Sequence, residues 1–135
     1  MTNQTYRRAA QRVVATRHLV FVTKYRRAVF TDVMLTFCET IMRSVRDDLA
    51  AELVEFSGEA DHIHLLVAYP PTPAISTLVL RLKGRTAYAV RREYTGTCVR
   101  ARMRGHLWSP SYFAASCGGA TSIIKQYIDG QARPL

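Results

Sequence analysis

The segment Asp61-His62-Ile63-His64-Leu65-Leu66-Val67 constrains the fold more than any other stretch of the chain. Successive side chains of a β-strand point to opposite faces. Ile63, Leu65 and Val67 therefore line one side, and His62 and His64 share the other. Such a strand offers one face to a hydrophobic core and turns a polar face, with two imidazoles, away from it. Asp61, the residue before the pair, is expected on the opposite face from His62.

The rest of the chain supplies partners for that strand. His18 to Thr23 is rich in β-branched and aromatic residues and reads as a strand, closed by the polar loop Lys24-Tyr25-Arg26-Arg27. Before it, the first sixteen residues or so read as a basic arm or a short helix. Thr31 or Asp32 can cap a helix in which Met34, Phe37, Ile41 and Val45 recur at helical spacing, and which is expected to run to about Ala50. Leu53 to Phe56 reads as a strand, joined to the histidine strand through Ser57-Gly58-Glu59. Pro70, Pro71 and Pro73 stop the latter. A second helix is expected from about Ala74 to Glu93, with Gly84 as a candidate break, followed by a basic loop over residues 95–105. Leu107-Trp108 and Ser111 to Ser116 form a last strand region interrupted by Pro110. Gly118-Gly119 is a joint before a final helix from Thr121, its candidate N-cap, to Gln131.

The order β-α-β-β-α-β-α places the chain in the α+β class. Its first six elements match a ferredoxin-like or RRM-like antiparallel sheet with helices on one face. A C-terminal helix carrying Tyr127 follows. The length of 135 residues suits a single domain, residues 1–135.

Charge narrows the function. Nineteen Lys and Arg oppose ten Asp and Glu, a formal net charge of +9, which points to a polyanionic partner and to nucleic acid before membrane. Eight of the ten acids lie between Asp32 and Asp61, whereas Arg81 to Arg104 holds eight basic residues and one acid, Glu93. Lys24, Arg26, Arg27, Lys83, Arg85, Arg91 and Arg92 are the expected phosphate contacts, against the plainer reading of a solvated basic face. Hydrophobic residues at 48% and charged residues at 21% exclude a disordered chain. Cys38, Cys98 and Cys117 are odd in number and have no metal-knuckle spacing, so they read as reduced thiols. The N-terminus has no apolar signal core, and no apolar run nears membrane-spanning length. A soluble cytoplasmic protein is expected.

Two imidazoles two residues apart on a strand can ligate one metal ion; a pair of structural or surface histidines is the competing reading. Tyr127 and Gln131 are four residues apart, on one face of a helix. They could face one partner, or that helix could simply dock through Ile124, Tyr127 and Ile128. Taken together, a divalent cation on imidazoles and an amide oxygen could polarise a phosphate for attack by the tyrosine hydroxyl. Neither a Gly-rich nucleotide loop nor the acidic cluster of an all-carboxylate two-metal nuclease is present in the sequence.

The chain resembles the single-tyrosine HUH transposases of the insertion-sequence-200/605 type. The resemblance rests on His18-Leu-Val-Phe-Val-Thr-Lys-Tyr-Arg-Arg27, Asp61-His-Ile-His-Leu-Leu-Val67, Leu82-Lys-Gly84, Leu107-Trp-Ser-Pro-Ser-Tyr-Phe113 and Tyr127-Ile-Asp-Gly-Gln131. It implies that His62 and His64 bind a divalent ion, Mg²⁺ or Mn²⁺, with Gln131 completing the site. It implies that Tyr127 is the nucleophile and forms a 5′-phosphotyrosine with single-stranded DNA, at hairpins near mobile-element ends. It also implies a homodimer whose tyrosine helices serve the partner's histidine pair. A domesticated relative acting on chromosomal repeat hairpins, a replication initiator or relaxase, and a non-catalytic single-strand-binding module are the alternatives. His18, His106 and Tyr112 carry no assigned role.

Overall fold

The computed structural model describes residues 15–45, 50–70, 74–103, 105–116 and 127–130. The expected N-terminal arm, the Gly118-Gly119 joint, Cys117, Thr121 and Gln131 lie outside them. Strand β1 (Ala15–Val22) leads through a 3-10 turn at Lys24–Arg26 to helix α1 (Asp32–Arg43). The hairpin of β2 (Glu52–Glu59) and β3 (His62–Tyr69) follows. Helices α2 (Ile75–Glu93) and α3 (Thr95–Arg100) precede β4 (Phe113–Ser116), and residues 127–130 are helical. The sheet order is β2-β3-β1-β4 with every pairing antiparallel, the ferredoxin-like arrangement that the element order implies.

The alternation along β3 holds. Ile63, Leu65 and Val67 are buried, and His62, His64 and Leu66 between them are partly exposed. With Leu19 and Phe21 of β1, the apolar set packs under Met34, Cys38 and Met42 of α1 and Leu78, Leu82 and Val90 of α2. These positions recur at multiples of four residues, so each helix lays one stripe on the sheet. Trp108 closes the core beside Phe21 and Phe30, and its indole donates to Thr86 Oγ1 at 3.1 Å.

Several boundaries differ from expectation. Thr31 is the cap of α1, its hydroxyl accepting from the Met34 amide at 3.2 Å. The helix ends at Arg43 rather than near Ala50. The Ser44 hydroxyl turns back to the Ile41 carbonyl, and Ala50 has φ of 54°, which no right-handed helix accepts. Ser57, Gly58 and Glu59 belong to β2, and the turn is Ala60-Asp61. Gly58 serves close approach instead: a Cβ there would lie 2.8 Å from Leu35 Cδ2 of α1. Helix α2 runs unbroken through Gly84, an exposed position where a Cβ would meet nothing. The expected basic loop contains α3, whose Cys98 is buried. Cys38 and Cys98 are free core thiols, and burial, aided by Cys98, pushes Cys38 up to about 12. Among the described residues no helix is long and apolar enough to cross a membrane.

Candidate metal and tyrosine site

The polar face of the sheet is ordered by cross-strand register. His62 lies opposite Val22 and Glu59, and His64 opposite Val20 and Ser57. Val20 pairs in turn with Phe113 of β4. Val20 and Val22 are fully buried on this face, so the imidazoles stand beside a covered apolar strip.

Asp61 does not point away from His62. It sits in the turn, where strand alternation no longer applies, and its Oδ1 lies 2.9 Å from His62 Nδ1. Its other oxygen, Oδ2, accepts from Arg26 Nε at 2.7 Å. Burial works to raise the Asp61 carboxyl, but the bonds from His62 and Arg26 outweigh it, and the net pKa lies below the ordinary carboxylate value. The backbone fixes the turn as well. The Asp61 carbonyl accepts from the Thr23 amide at 2.9 Å, and the Ala60 carbonyl accepts from Val29 and Phe30.

Donor atoms of Glu59, Asp61 and His62 lie within 4.8 Å of one another. Two carboxylates and an imidazole are a donor set that suits Mg²⁺ or Mn²⁺. If His62 held the ion through Nε2, Asp61 on Nδ1 would be an outer partner that orients the ring and not a donor. His64 Nε2 lies 2.9 Å from His18 Nδ1, with the rings 5.0 Å apart. Burial, helped by His18, holds the His64 imidazole below its ordinary pKa, which favours the neutral ligand form. No sequence pattern distinguishes Glu59 or His18 as a site residue. Glu59 becomes visible once the turn is placed at Ala60-Asp61, because that puts it opposite His62. His18 shares a strand face with Val20 and Val22.

Tyr127 comes to this region from the end of the chain. Its ring lies 5.6 Å from that of Phe113, and its hydroxyl is 2.9 Å from Ser111 Oγ. Burial raises the phenol above its ordinary pKa despite the Ser111 bond, so Tyr127 is protonated at neutral pH. Two residues on, Asp129 Oδ1 accepts from Arg26 Nη1 at 3.0 Å. Thus one guanidinium joins the Tyr127 turn to the turn that holds His62.

The basic residues expected at phosphates fall into different settings. Arg26 is committed to two carboxylates. Lys83 Nζ donates to the Ser109 and Ser111 carbonyls at 2.8 Å each and stands over the Phe21 and Tyr112 rings. Burial lowers its pKa to about 8. Lys83 thereby fixes the loop that presents Ser111 to Tyr127. Lys24 and Arg27 flank the Tyr25 ring, and Arg27 also donates to the Arg102 carbonyl. On α2, Arg81, Arg85, Tyr88 and Arg92 follow one another at helical spacing. Arg81, Tyr88 and Arg92 are exposed, whereas Arg85 and Arg91 are partly buried.

The profile of the family described as Transposase IS200 like matches residues 12–131. The transposase for insertion sequence element IS200 of Salmonella typhimurium is 29% identical over 114 residues, covering 84% of this chain and 74% of the relative. The ISDra2 transposase TnpA of Deinococcus radiodurans is 30% identical over 115 residues, covering 84% and 81%. A crystal structure of a transposase from Deinococcus radiodurans superposes with a TM-score of 0.81 at 30% identity, over 90% of this chain and 93% of that one. A REP-associated tyrosine transposase bound to a REP hairpin shares the fold, with a TM-score of 0.57 at 14% identity over 85% and 62%. With a family profile spanning nearly all of it and a closely superposing fold, the chain belongs to the IS200-like transposases, the single-tyrosine HUH type.

Proposed function

We propose that the chain cuts and rejoins single-stranded DNA at hairpin-bearing ends of a mobile element, in the cytoplasm, through a 5′-phosphotyrosine at Tyr127. The observation that carries this reading is the approach of the Tyr127 turn to the histidine strand, through Asp129, Arg26 and Asp61. His62, His64 and Gln131 are the proposed holders of a divalent cation, Mg²⁺ or Mn²⁺, with Glu59 and Asp61 beside them. When bound, such a cation supplies positive charge against the charge that grows on the scissile phosphate. Tyr127 Oη bonds to phosphorus as the bond to the 3′ oxygen breaks. The proton lost from the phenol balances the one gained by the departing 3′ hydroxyl. Ser111 holds the phenol oxygen until attack. Because one phosphodiester replaces another, rejoining needs no nucleotide hydrolysis. Lys24, Arg27, Arg85, Arg91 and Arg92 are the proposed DNA contacts.

Incubating the protein with single-stranded DNA carrying the element ends and Mn²⁺ should give a covalent protein–DNA adduct. Tyr127→Phe removes one hydroxyl and should abolish the adduct while leaving the fold and DNA binding intact. An adduct at full yield from the Phe variant would exclude Tyr127 as nucleophile. We further propose a homodimer in which the contacts made within one chain between the Tyr127 turn and the histidine strand are exchanged, so that each tyrosine helix serves the opposite subunit. In proven mixed dimers of Tyr127→Phe and His64→Ala chains, a crossed arrangement restores one of two sites. Continued inactivity would mean that each tyrosine serves its own chain.

A further inference from the structure

We propose that Arg26 is a positioning residue that sets the Tyr127 turn and the His62 imidazole relative to one another, rather than a contact to DNA phosphate; this rests on the reading of Tyr127 and His62 given above. Two separate nitrogens of one guanidinium are engaged, Nε with Asp61 and Nη1 with Asp129. Asp61 spends its other oxygen on His62 Nδ1. Asp129 lies two residues after Tyr127 in the same short helical stretch. A chain of polar contacts therefore runs from the helix of the nucleophile through Asp129, Arg26 and Asp61 to the ring of the metal-site histidine.

The backbone at this point supports the assignment. Tyr25 and Arg26 have φ of 60° and 54°, two successive non-glycine residues in the left-handed region. Such strain persists where surrounding contacts over-determine it. Here the contacts are specific: the Thr23 hydroxyl donates to the Arg27 carbonyl at 2.6 Å, and the Arg26 amide donates to the Thr23 carbonyl at 2.9 Å. The Thr23 amide in turn is bonded to Asp61 itself. The strained turn is thus built against the turn that carries Asp61, and it aims one side chain at two carboxylates. A lysine could not serve both, because its ammonium is a single point charge and not a planar fork.

Three variants of the full chain, Arg26→Gln, Arg26→Lys and Asp129→Asn, separate this role from others. Mn²⁺ affinity is read by electron paramagnetic resonance, the setting of residue 127 by the ¹⁹F resonance of 3-fluorotyrosine placed there, and folding by thermal midpoint. Arg26→Gln should weaken Mn²⁺ binding about tenfold, as loss of an outer partner of a ligand does, and should shift the ¹⁹F resonance. Arg26→Lys should behave like Gln, although it keeps the charge. Asp129→Asn, at a mostly exposed position, should shift the ¹⁹F resonance and leave Mn²⁺ affinity and folding unchanged. A lysine variant equal to the unmodified protein in both readouts would overturn the proposal in favour of a plain charge effect. Unchanged Mn²⁺ affinity and ¹⁹F resonance in Arg26→Gln, with a weaker salt dependence of DNA binding, would overturn it in favour of a phosphate contact. If the unmodified protein bound no Mn²⁺, the metal reading would fall, while the ¹⁹F shifts in Arg26→Gln and Asp129→Asn would still decide whether Arg26 sets the tyrosine.

Discussion

Ile63 and Leu65 are fully buried in the cluster beneath α1 and α2, while His62 and His64, their neighbours on the same strand, are partly exposed and bonded to particular side chains, His62 to the adjoining Asp61 and His64 to His18 of β1. The apolar face is satisfied by volume and contact, which many residues supply. The polar face is satisfied by particular atoms: Asp61 for His62, His18 for His64, Ser111 for Tyr127. Among the described residues no buried side-chain nitrogen or oxygen lacks a partner. Stability should therefore reside mainly on one face and chemistry on the other.

The largest effect that tests this division is on the polar face. His64→Ala should abolish adduct formation in single-turnover assays and should move the thermal midpoint little, since the ring is only partly buried. A collapse of folding in this variant would show that the two faces are not separable. The converse change is Leu65→Ala. It removes a fully buried side chain from a packed core and should cost about 2–5 kcal/mol in urea unfolding. At temperatures where that variant stays folded, the adduct should still form.

A smaller effect concerns Lys83, which stands at the border of the two faces. Burial lowers its pKa to about 8 from the ordinary lysine value, so between those values the unfolded chain binds more protons than the folded one. Its contribution to stability then rises with pH, starting near pH 8 and ending near the ordinary lysine pKa, and is constant below. Subtracting the urea midpoints of Lys83→Met from those of the unmodified protein across this range should isolate that rise. A flat difference would place Lys83 in solvent. The smallest effect is Thr31→Ala, which removes the cap of α1 and should cost about 1 kcal/mol with unchanged chemistry; an altered adduct rate would tie α1 to the polar face.

The legibility of each face follows from the range of the interactions that make it. The period-two pattern of β3 was readable because alternation is a local property of extended backbone. The Thr31 cap was readable as one of two neighbouring choices for the same reason. Gly58 misled because a glycine between two apolar runs is as consistent with a turn as with the close approach of Leu35, and the latter comes from a different element. Asp61 lies beside His62 because strand alternation does not extend into the turn at Ala60-Asp61, and the position of that turn depends on the pairing of β2 with β3.

The strand that carries His62 and His64, the α+β order of elements and the placing of a tyrosine in the last stretch of the chain are legible in the residues alone, since these depend on periodicity and residue type within short windows. Which charges meet depends instead on how distant segments pack. Arg26, Asp61 and Asp129 are separated along the chain by 35 and 68 residues, and Arg26 reads from sequence like any cation of a basic loop. Whether a guanidinium binds phosphate or carboxylate depends on what lies a few ångströms from it, and that is set by the antiparallel pairing of β1 with β3 and the strained turn after β1, neither of which any single segment specifies.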